Sequence, residues 1–149
     1  MNLLAIDSGF RYFGWAVFED GLLKGADLGR NATGEPPNFL SLVDVLRSYS
    51  WRDAVAVIEF PHFRSSTPNV DSLLKLAAGC GAYTALLQAS RFSVEWVKPS
   101  SWKGSVPKAI MCRRIVDKLS EEEYSMINKP LDHNVLDAVG VGLWKAQRL

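Results

Sequence analysis

Residues 54–59 read AVAVIE, a continuous apolar run that ends in one carboxylate. A run without polar alternation is typical of a strand buried on both faces, as in a parallel sheet covered by helices. Apolar residues at helical spacing predict one helix around residues 39–49, before the run, and another from Val70 to about Ser90, after it. The stretch therefore favours an α/β fold.

The N-terminal residues predict an antiparallel meander. Asn2–Ile6, Tyr12–Phe18 and Leu22–Leu28 are apolar or aromatic runs, and the last two are joined through Asp20-Gly21, a pair favoured in tight hairpins. Phe92–Val97 is a further strand. We therefore expect a mixed five-stranded sheet, first antiparallel and then parallel, with helices packed on it.

The remaining C-terminal segments predict two helices and their connections. A Ser/Gly/Pro loop is expected at Lys98–Pro107, a helix at Lys108–Leu119, a charged turn at 120–123 and a closing helix at Leu131–Gln147. The 149 residues are 48% hydrophobic and 22% charged, which suits one soluble domain over 1–149. Wholesale disorder and collagen-like or disulfide-scaffold classes are excluded by this composition.

Other features of the sequence bear on the cellular compartment. The longest apolar run, Leu76 to Tyr83, is far shorter than the roughly 20 residues of a membrane span. The N-terminal apolar run is too short for a signal peptide. Cys80 and Cys112 lack zinc-ligand spacing and suit a reducing compartment. We therefore expect a cytoplasmic protein without a membrane partner.

The net charge is only +1, but its distribution is uneven. The window from Arg91 to Lys118 contains seven basic residues against two acidic ones, Glu95 and Asp117. Cations gathered in one sector can offer phosphate a positive face even when the whole chain is nearly neutral. A solvated helix face with a lysine-rich loop would give the same pattern, and both interpretations stay open.

Three acids are candidate site residues because of where they lie. Asp7 ends the first strand, Glu59 ends the strand of residues 54–58, and Asp137 lies within the last helix. If the first and fourth strands are neighbours, the two strand acids emerge side by side where ligands bind in α/β sheets. Converging carboxylates favour a hard cation, Mg²⁺ or Mn²⁺, and a pair of such ions hydrolyses phosphodiesters. A turn former or helix cap remains the alternative for either strand acid. It suits Asp137 poorly, because an unpaired aspartate within an apolar helix is unfavourable.

Five segments, in this order, resemble the RuvC family of Holliday-junction resolvases, in the RNase H-like superfamily: LLAIDSGFRYFGWAVFEDG, VAVIEFPHF, DSLLKLAAGCGAYTALL, VEWVKPSSWKGSVPK and LDHNVLDAVGVGLW. The resemblance runs from about Met1 to Trp144, and the small size is similar to phage-type members, which act in the host bacterial cytoplasm. It implies an RNase H-like fold and a homodimer that cuts branched DNA with two Mg²⁺ ions per site, Mn²⁺ substituting. No nucleotide cofactor is implied.

The resemblance also implies roles for single residues. Asp7, Glu59 and Asp137 match the catalytic acids, and Lys98 and Lys108 match basic positions near the scissile phosphate. Ser8 replaces the usual Pro, a change expected to affect only the turn. The family's fourth ligand would fall at Asn134. His133 and Asn134 both share a helix face with Asp137, whereas Asp132 better suits an N-cap. Of these we favour His133 as metal ligand or water-positioning base, and a plain surface histidine is the alternative.

Aromatic and basic residues near these positions are candidate DNA contacts. The loop after Glu59 contains Phe60, His62, Phe63 and Arg64, and the family has an aromatic wedge in this loop. Exposed aromatics beside a phosphate site can stack on unpaired bases. Trp102, between Lys98 and Lys103, is a second stacking candidate. Burial of the two phenylalanines in the core is equally compatible with the sequence.

Three other functions share some of these sequence features with a junction endonuclease. Asp7-Ser8-Gly9 with Gly14 also resembles the phosphate-binding hairpin of actin-like phosphotransferases, but that fold needs about twice this length. A nuclease relative acting on structured RNA precursors would share the sheet and the acids. A non-catalytic junction-binding protein would gain affinity by losing these acids, so their presence argues against it.

Overall fold

The computed structural model describes residues 2–32, 38–61 and 69–149. The described elements form a five-stranded sheet with helices on both faces. The strands are β1 (Asn2–Asp7), β2 (Tyr12–Glu19), β3 (Leu22–Arg30), β4 (Val55–Glu59) and β5 (Ser93–Val97). The helices are α1 (Ser41–Ser48), α2 (Val70–Ala89), α3 (Pro99–Trp102), α4 (Lys108–Asp117), α5 (Glu121–Ser125) and α6 (His133–Lys145).

The sheet order is β3-β2-β1-β4-β5. β1 and β3 run antiparallel to β2, whereas β4 runs parallel to β1 and β5 runs parallel to β4. The turn from β2 to β3 is made by Asp20 and Gly21, whose φ angles are +50° and +80°. The expected mixed sheet and its Asp-Gly hairpin are confirmed.

Alternation along the strands divides the interior into two cores. On β1, Leu3 and Ala5 face one core, which contains the buried residues of α6, while Leu4 and Ile6 face a second core under α1 and α2. Because successive side chains point to opposite faces, the residue that follows Ile6 points to the α6 side. The position of Asp7 is therefore fixed by the same pattern that buries the strand.

Two short helices lie where the sequence predicted a loop and a turn. α3 begins at Pro99, and α5 begins with a capping box in which Ser120 and Glu123 bond each other's backbone N–H groups. Elements of four and five residues are too short to show apolar periodicity. They depend on such local end signals instead.

Helix α2 is longer than β4 and β5, two of the strands that it contacts. Its 20 residues span about 30 Å, whereas a five-residue strand such as β4 spans about 17 Å. Its buried residues, Gly79, Cys80, Tyr83 and Leu87, are in the middle and the C-terminal half. Length and composition alone would allow α2 to cross a bilayer, which the sequence did not predict. One such helix is weak evidence for a membrane span, and α2 packs on the domain through the four buried residues.

Candidate active site

Sheet register brings the two strand acids together. Asp7 and Glu59 are direct partners in the parallel pairing of β1 with β4. Val57, two residues before Glu59, belongs to the α6-side core, as Ala5 does. Both carboxylates therefore leave the sheet on the same face and at the same edge, as the sequence led us to expect.

Helix α6 brings the third acid to this edge. On β2, Gly14 pairs with Asp7, and a Cβ built at Gly14 would lie 1.9 Å from the carbonyl oxygen of Asn134. Only glycine allows the first turn of α6 to approach the sheet this closely. Asp137, one turn further on, lies close enough to Asp7 and Glu59 for its charge to act on both.

The electrostatics of the acid pocket, defined as Asp7, Glu59 and Asp137, are unfavourable to its charged state. Burial raises the pKa of Asp7 well above its ordinary value, and the negative charges of Glu59 and Asp137 raise it further. Burial also raises the pKa of Glu59, against the opposing effect of Lys103 and of a hydrogen bond from Trp102. A pocket of this kind needs positive charge to remain ionised at neutral pH.

Lys103 supplies part of that charge. Its Nζ lies 3.3 Å from Glu59 Oε1 and 3.4 Å from Asp137 Oδ2. Burial lowers the pKa of Lys103, but the attraction of these two carboxylates outweighs it, so that its pKa is raised overall. The sequence suggested Lys103 only as a DNA contact, so its place between two acids is new.

Trp102 has a different place from the one expected. It is 5% exposed, and its indole Nε1–H donates a 2.6 Å hydrogen bond to Glu59 Oε2. Because the ring is buried against α6, as its near contact with Gly140 shows, it cannot stack on a base. The prediction of a stacking Trp102 is wrong, and the residue instead orients Glu59.

A polar cleft of about 430 Å³ opens beside the acid pocket. Lys103 and Asp137 line it together with Lys108. Lys108 is exposed at the start of α4, and its charge acts on Asp7, whose pKa it lowers. The cleft thus places two cationic side chains next to the acids, an arrangement suited to a phosphate group.

The loop that follows Asp7 is held by hydrogen bonds that are buried or partly buried. The Ser8 hydroxyl donates to the carbonyl oxygen of Glu59 at 2.7 Å, which ties the two acid-bearing strand ends together. The Tyr83 hydroxyl donates to the carbonyl oxygen of Gly9 at 2.9 Å. The Asn31 amide donates to Tyr83 and to Phe10. Ser8 therefore does more than alter the turn, contrary to expectation. Nothing in the local sequence pointed to Tyr83 or Asn31, which contact the loop from other elements.

The residues considered for a fourth ligand differ in position. The side chain of His133 is 56% exposed and lies 3.9 Å from Asp132. Asp132 is the N-cap of α6, as expected, and accepts a hydrogen bond from the Asn134 N–H. The backbone of Asn134 lies against Gly14, next to Asp7. The structure thus places the backbone of Asn134 at the edge that carries the acids.

The remaining DNA-contact candidates lie around this edge or outside the described residues. Phe60 stacks on Trp96, with ring centroids 4.6 Å apart and planes at 19°. It packs partly on the α2-side core. Lys98 is exposed at the N-cap of α3. The others, His62, Phe63 and Arg64, fall outside the described residues.

The donor chemistry of the pocket fits a divalent cation. Its three carboxylates offer only oxygen ligands, which Mg²⁺ and Mn²⁺ prefer, and Lys103 already bridges two of them as a cation. Across residues 2–32, 38–61 and 69–149, no three carboxylate, imidazole or thiol side chains are arranged to hold an ion as they stand. The side chains would have to rearrange to receive one, while the backbone positions that gather them are in place.

Comparison with known proteins identifies the fold. No family model and no curated protein sequence matches the chain. Among solved structures, Thermus thermophilus RuvC in complex with a Holliday junction substrate superposes with a TM-score of 0.68 at 17% identity, covering 96% of this chain and 90% of that one. A second Thermus thermophilus RuvC structure gives 0.64 at 15% identity, with coverages of 96% and 92%.

A yeast protein has the same fold. The mitochondrial Holliday junction resolvase Ydc2 gives a TM-score of 0.55 at 14% identity, covering 97% of this chain and 79% of its own. The RNase H-like fold implied by the resemblance is therefore confirmed, and the chain is similar in structure to RuvC and to a mitochondrial resolvase.

Proposed function

We propose that this protein is a metal-dependent endonuclease that resolves four-way DNA junctions. The observation that carries the proposal is the convergence of Asp7, Glu59 and Asp137 from two parallel strands and a helix, in a fold shared with RuvC. A domain that only bound DNA would gain from losing three negative charges beside the phosphate. Holding them together, against the rise in the pKa of Asp7, is the arrangement of a catalytic site.

The chain's own residues have distinct roles in this proposal. Asp7, Glu59 and Asp137 would hold two Mg²⁺ ions, for which Mn²⁺ would substitute, and Asn134 or His133 would supply a fourth ligand. Bound ions of this kind lower the pKa of an attacking water and neutralise the leaving oxygen. Trp102 orients Glu59 through the indole hydrogen bond. Lys108 contacts the scissile phosphate from the cleft that it lines with Asp137.

Positive charge on both flanks of the pocket supports a nucleic acid substrate. Lys98, Lys103 and Lys108 follow β5 on one flank. Arg11 precedes β2 and Arg30 ends β3 on the other, and the Arg30 guanidinium lies 5.6 Å from the centre of the exposed Tyr12 ring. The uneven charge of the sequence had pointed to the first flank only. Phosphate backbones on both sides of the cut would find cations within reach.

A homodimer is part of the proposal, because two equivalent nicks in a two-fold symmetric junction call for two related active sites. The surface we assign to it is the exposed face of α2, made by Val70, Leu74, Ala78, Gly81 and Ala85. Val70 and Leu74 are 61% and 63% exposed, unusual for aliphatic residues on one helix. Small residues further along would let two such helices approach closely. Leu74→Lys should yield monomers in sedimentation velocity runs, whereas Gln88→Lys, an exposed position in the last turn, should not.

The deciding experiment is cleavage of synthetic substrates with Mg²⁺ or Mn²⁺. The protein should cut a four-way junction into paired nicks and leave a linear duplex of the same sequence intact. Asp7→Asn, Glu59→Gln and Asp137→Asn should each lower the rate by roughly a thousandfold or more while junction binding is kept or strengthened. Equal cutting of duplex, or unchanged rates in these variants, would contradict the proposal, and preferential cutting of structured RNA would favour the alternative nuclease class.

Variants of Asn134 and His133 test which residue supplies the fourth ligand. Asn134→Ala should raise the Mg²⁺ concentration needed for half-maximal cutting more than His133→Ala does, and the reverse order would assign the role to His133.

We also propose a cytoplasmic location, where the free thiols of Cys80 and Cys112 would stay reduced. Fractionation of cells that express the tagged protein tests it, and recovery in the membrane fraction would contradict it.

A further inference from the structure

Lys103 occupies the space between two acids that the proposed function assigns to metal ions. Its ammonium is within 3.4 Å of oxygens on both Glu59 and Asp137. It also lies 4.8 Å from the centre of the Trp102 ring, over its face. The same ring donates to the other oxygen of Glu59. One cation is thus shared by two carboxylates. The indole hydrogen bond also orients one of them, that of Glu59.

A divalent ion attracted to Glu59 and Asp137 would meet this ammonium at close range. Two cations sharing the same pair of carboxylates repel each other strongly in a partly buried site, where the effective dielectric is well below that of water. The side chain of Lys103 is 26% exposed and carries its charge on a flexible four-carbon stem. It can therefore leave the acids without unfolding the segment that carries it.

The cleft beside the pocket offers Lys103 a second position. Lys103 lines both the acid pocket and the cleft of about 430 Å³, whose other lining residues include Ser105 and Lys108. In that position the ammonium would face the phosphate that the proposed function brings into the cleft. The residue thus lies on the boundary between the ion site and the substrate site.

We propose that Lys103 is a resident counter-ion that a divalent cation displaces, so that it sets the affinity of the pocket for metal and becomes available to the substrate phosphate only once metal is bound. The inference rests on the proposed function and deepens it. It makes Lys103 a positioning residue with two alternating partners, the acids in one state and phosphate in the other. Removing its charge is then expected to tighten metal binding, although the same change weakens contact with DNA.

Mn²⁺ binding to the DNA-free protein tests the first half, with free Mn²⁺ followed by electron paramagnetic resonance. Lys103→Gln should lower the dissociation constant roughly tenfold, because it removes a cation in direct contact with two ligands. Lys108→Gln is the matched control: it removes the same charge, also felt by Asp7, but lines the cleft without bridging Glu59 and Asp137. It should change the constant by about twofold or less. An unchanged constant in Lys103→Gln, or equal shifts in both variants, would overturn the inference.

Lysine reactivity in the unaltered protein tests the second half without any substitution. Reductive methylation followed by peptide mass spectrometry should show Lys103 modified several-fold faster with saturating Mg²⁺ than with EDTA, while Lys145, which lies about two turns beyond Asp137 on α6 and is paired with Glu95 at 2.6 Å, keeps its rate. Equal Lys103 rates under both conditions would overturn the displacement. Junction cutting that persists after either negative result would leave the proposed function intact, whereas a wild-type protein that binds no Mn²⁺ would remove both.

Discussion

Carboxylates that are buried or largely buried occur both at Glu123 and in the acid pocket, and the surroundings of the two groups are opposite. Glu123, 5% exposed, accepts hydrogen bonds from the backbone N–H groups of Leu23 and Ser120. It also accepts hydrogen bonds from both terminal nitrogens of Arg148, at 2.6 and 2.9 Å. These bonds, that from Arg148 foremost, lower the pKa of Glu123 to about 2. We refer to this group as the Glu123 clasp.

The acid pocket lacks such compensation. Burial and two neighbouring carboxylates raise the pKa of Asp7, and the nearest cation, Lys103, is shared between Glu59 and Asp137. The clasp therefore favours the charged form of its acid, whereas the surroundings of the pocket oppose the charged form of Asp7. The contrast is the one that the proposed function requires, because a bound metal ion would stabilise the charged form of the pocket.

The largest effect on stability is expected from breaking the clasp. Arg148→Ala leaves Glu123 buried with its charge largely uncompensated, which should lower the free energy of unfolding by about 3 kcal/mol. Urea unfolding at pH 7 measures it. Arg113→Ala, at a side chain that is 85% exposed and 3.9 Å from its partner Asp117, is the control and should change it by less than about 0.5 kcal/mol. Similar losses in the two variants would mean that the clasp is no stronger than a surface pair.

Acid should remove the contribution of the clasp. The pKa of Glu123 falls on folding from its ordinary 4.5 to about 2, so its stabilisation is fully present above pH 4.5. It is lost as the pH falls from 4.5 toward 2, by up to about 3 kcal/mol. Urea unfolding in EDTA at pH 7, 5 and 3 should therefore show the gap between the wild type and Arg148→Ala narrowing only at pH 3. A gap that stays constant would argue against the lowered pKa.

The pocket should respond with the opposite sign. Because the pKa of Asp7 is raised on folding, its ionisation lowers stability as the pH rises above its ordinary value of 3.8. Asp7→Asn should then raise the free energy of unfolding at pH 7 without metal, and the gain should vanish below pH 3.8. Asp117→Asn, at a side chain that is 66% exposed, should leave stability nearly unchanged. Destabilisation by Asp7→Asn would contradict the comparison.

The smallest effect concerns the bond that ties the two acid-bearing strands. Ser8→Ala removes the hydroxyl that donates to the Glu59 carbonyl and should lower the free energy of unfolding by about 1 kcal/mol. Ser125→Ala removes an exposed bond of the same kind, to the Glu122 carbonyl, and serves as the control. Junction cutting should fall in Ser8→Ala alone. Equal cutting by both variants would show that the tie has no part in positioning the acids.

The sequence predicted the elements that carry the acids because their signals are local. An apolar run that ends in a carboxylate defines both the strand and the side chain at its end, as for Asp7 and Glu59. Asp137 stood out because it interrupts an apolar helix. The neighbourhood of β1 and β4 was an assumption, and the parallel register confirmed it.

The parts that the sequence did not predict are contacts between distant residues. Glu123 accepts from Leu23 across 100 positions, and Lys103 meets Asp137 across 34. No sequence periodicity links such pairs. Each charged residue, judged from its sequence neighbours alone, is typical of a solvent-exposed position. Trp102 was misassigned for the same reason, since an aromatic residue between lysines gives no local sign that it packs under a helix.

The direct pairing of Asp7 with Glu59 has a consequence for insertions and deletions. Segments outside the paired strands can change length without moving either acid, because hydrogen bonds between strands fix both of them. Adding or removing a single residue within 55–59, ahead of Glu59, would instead turn its side chain to the opposite face of the sheet. Natural length variation among proteins built this way should therefore be confined to the connections, and an alignment that opens a gap inside β4 should be distrusted.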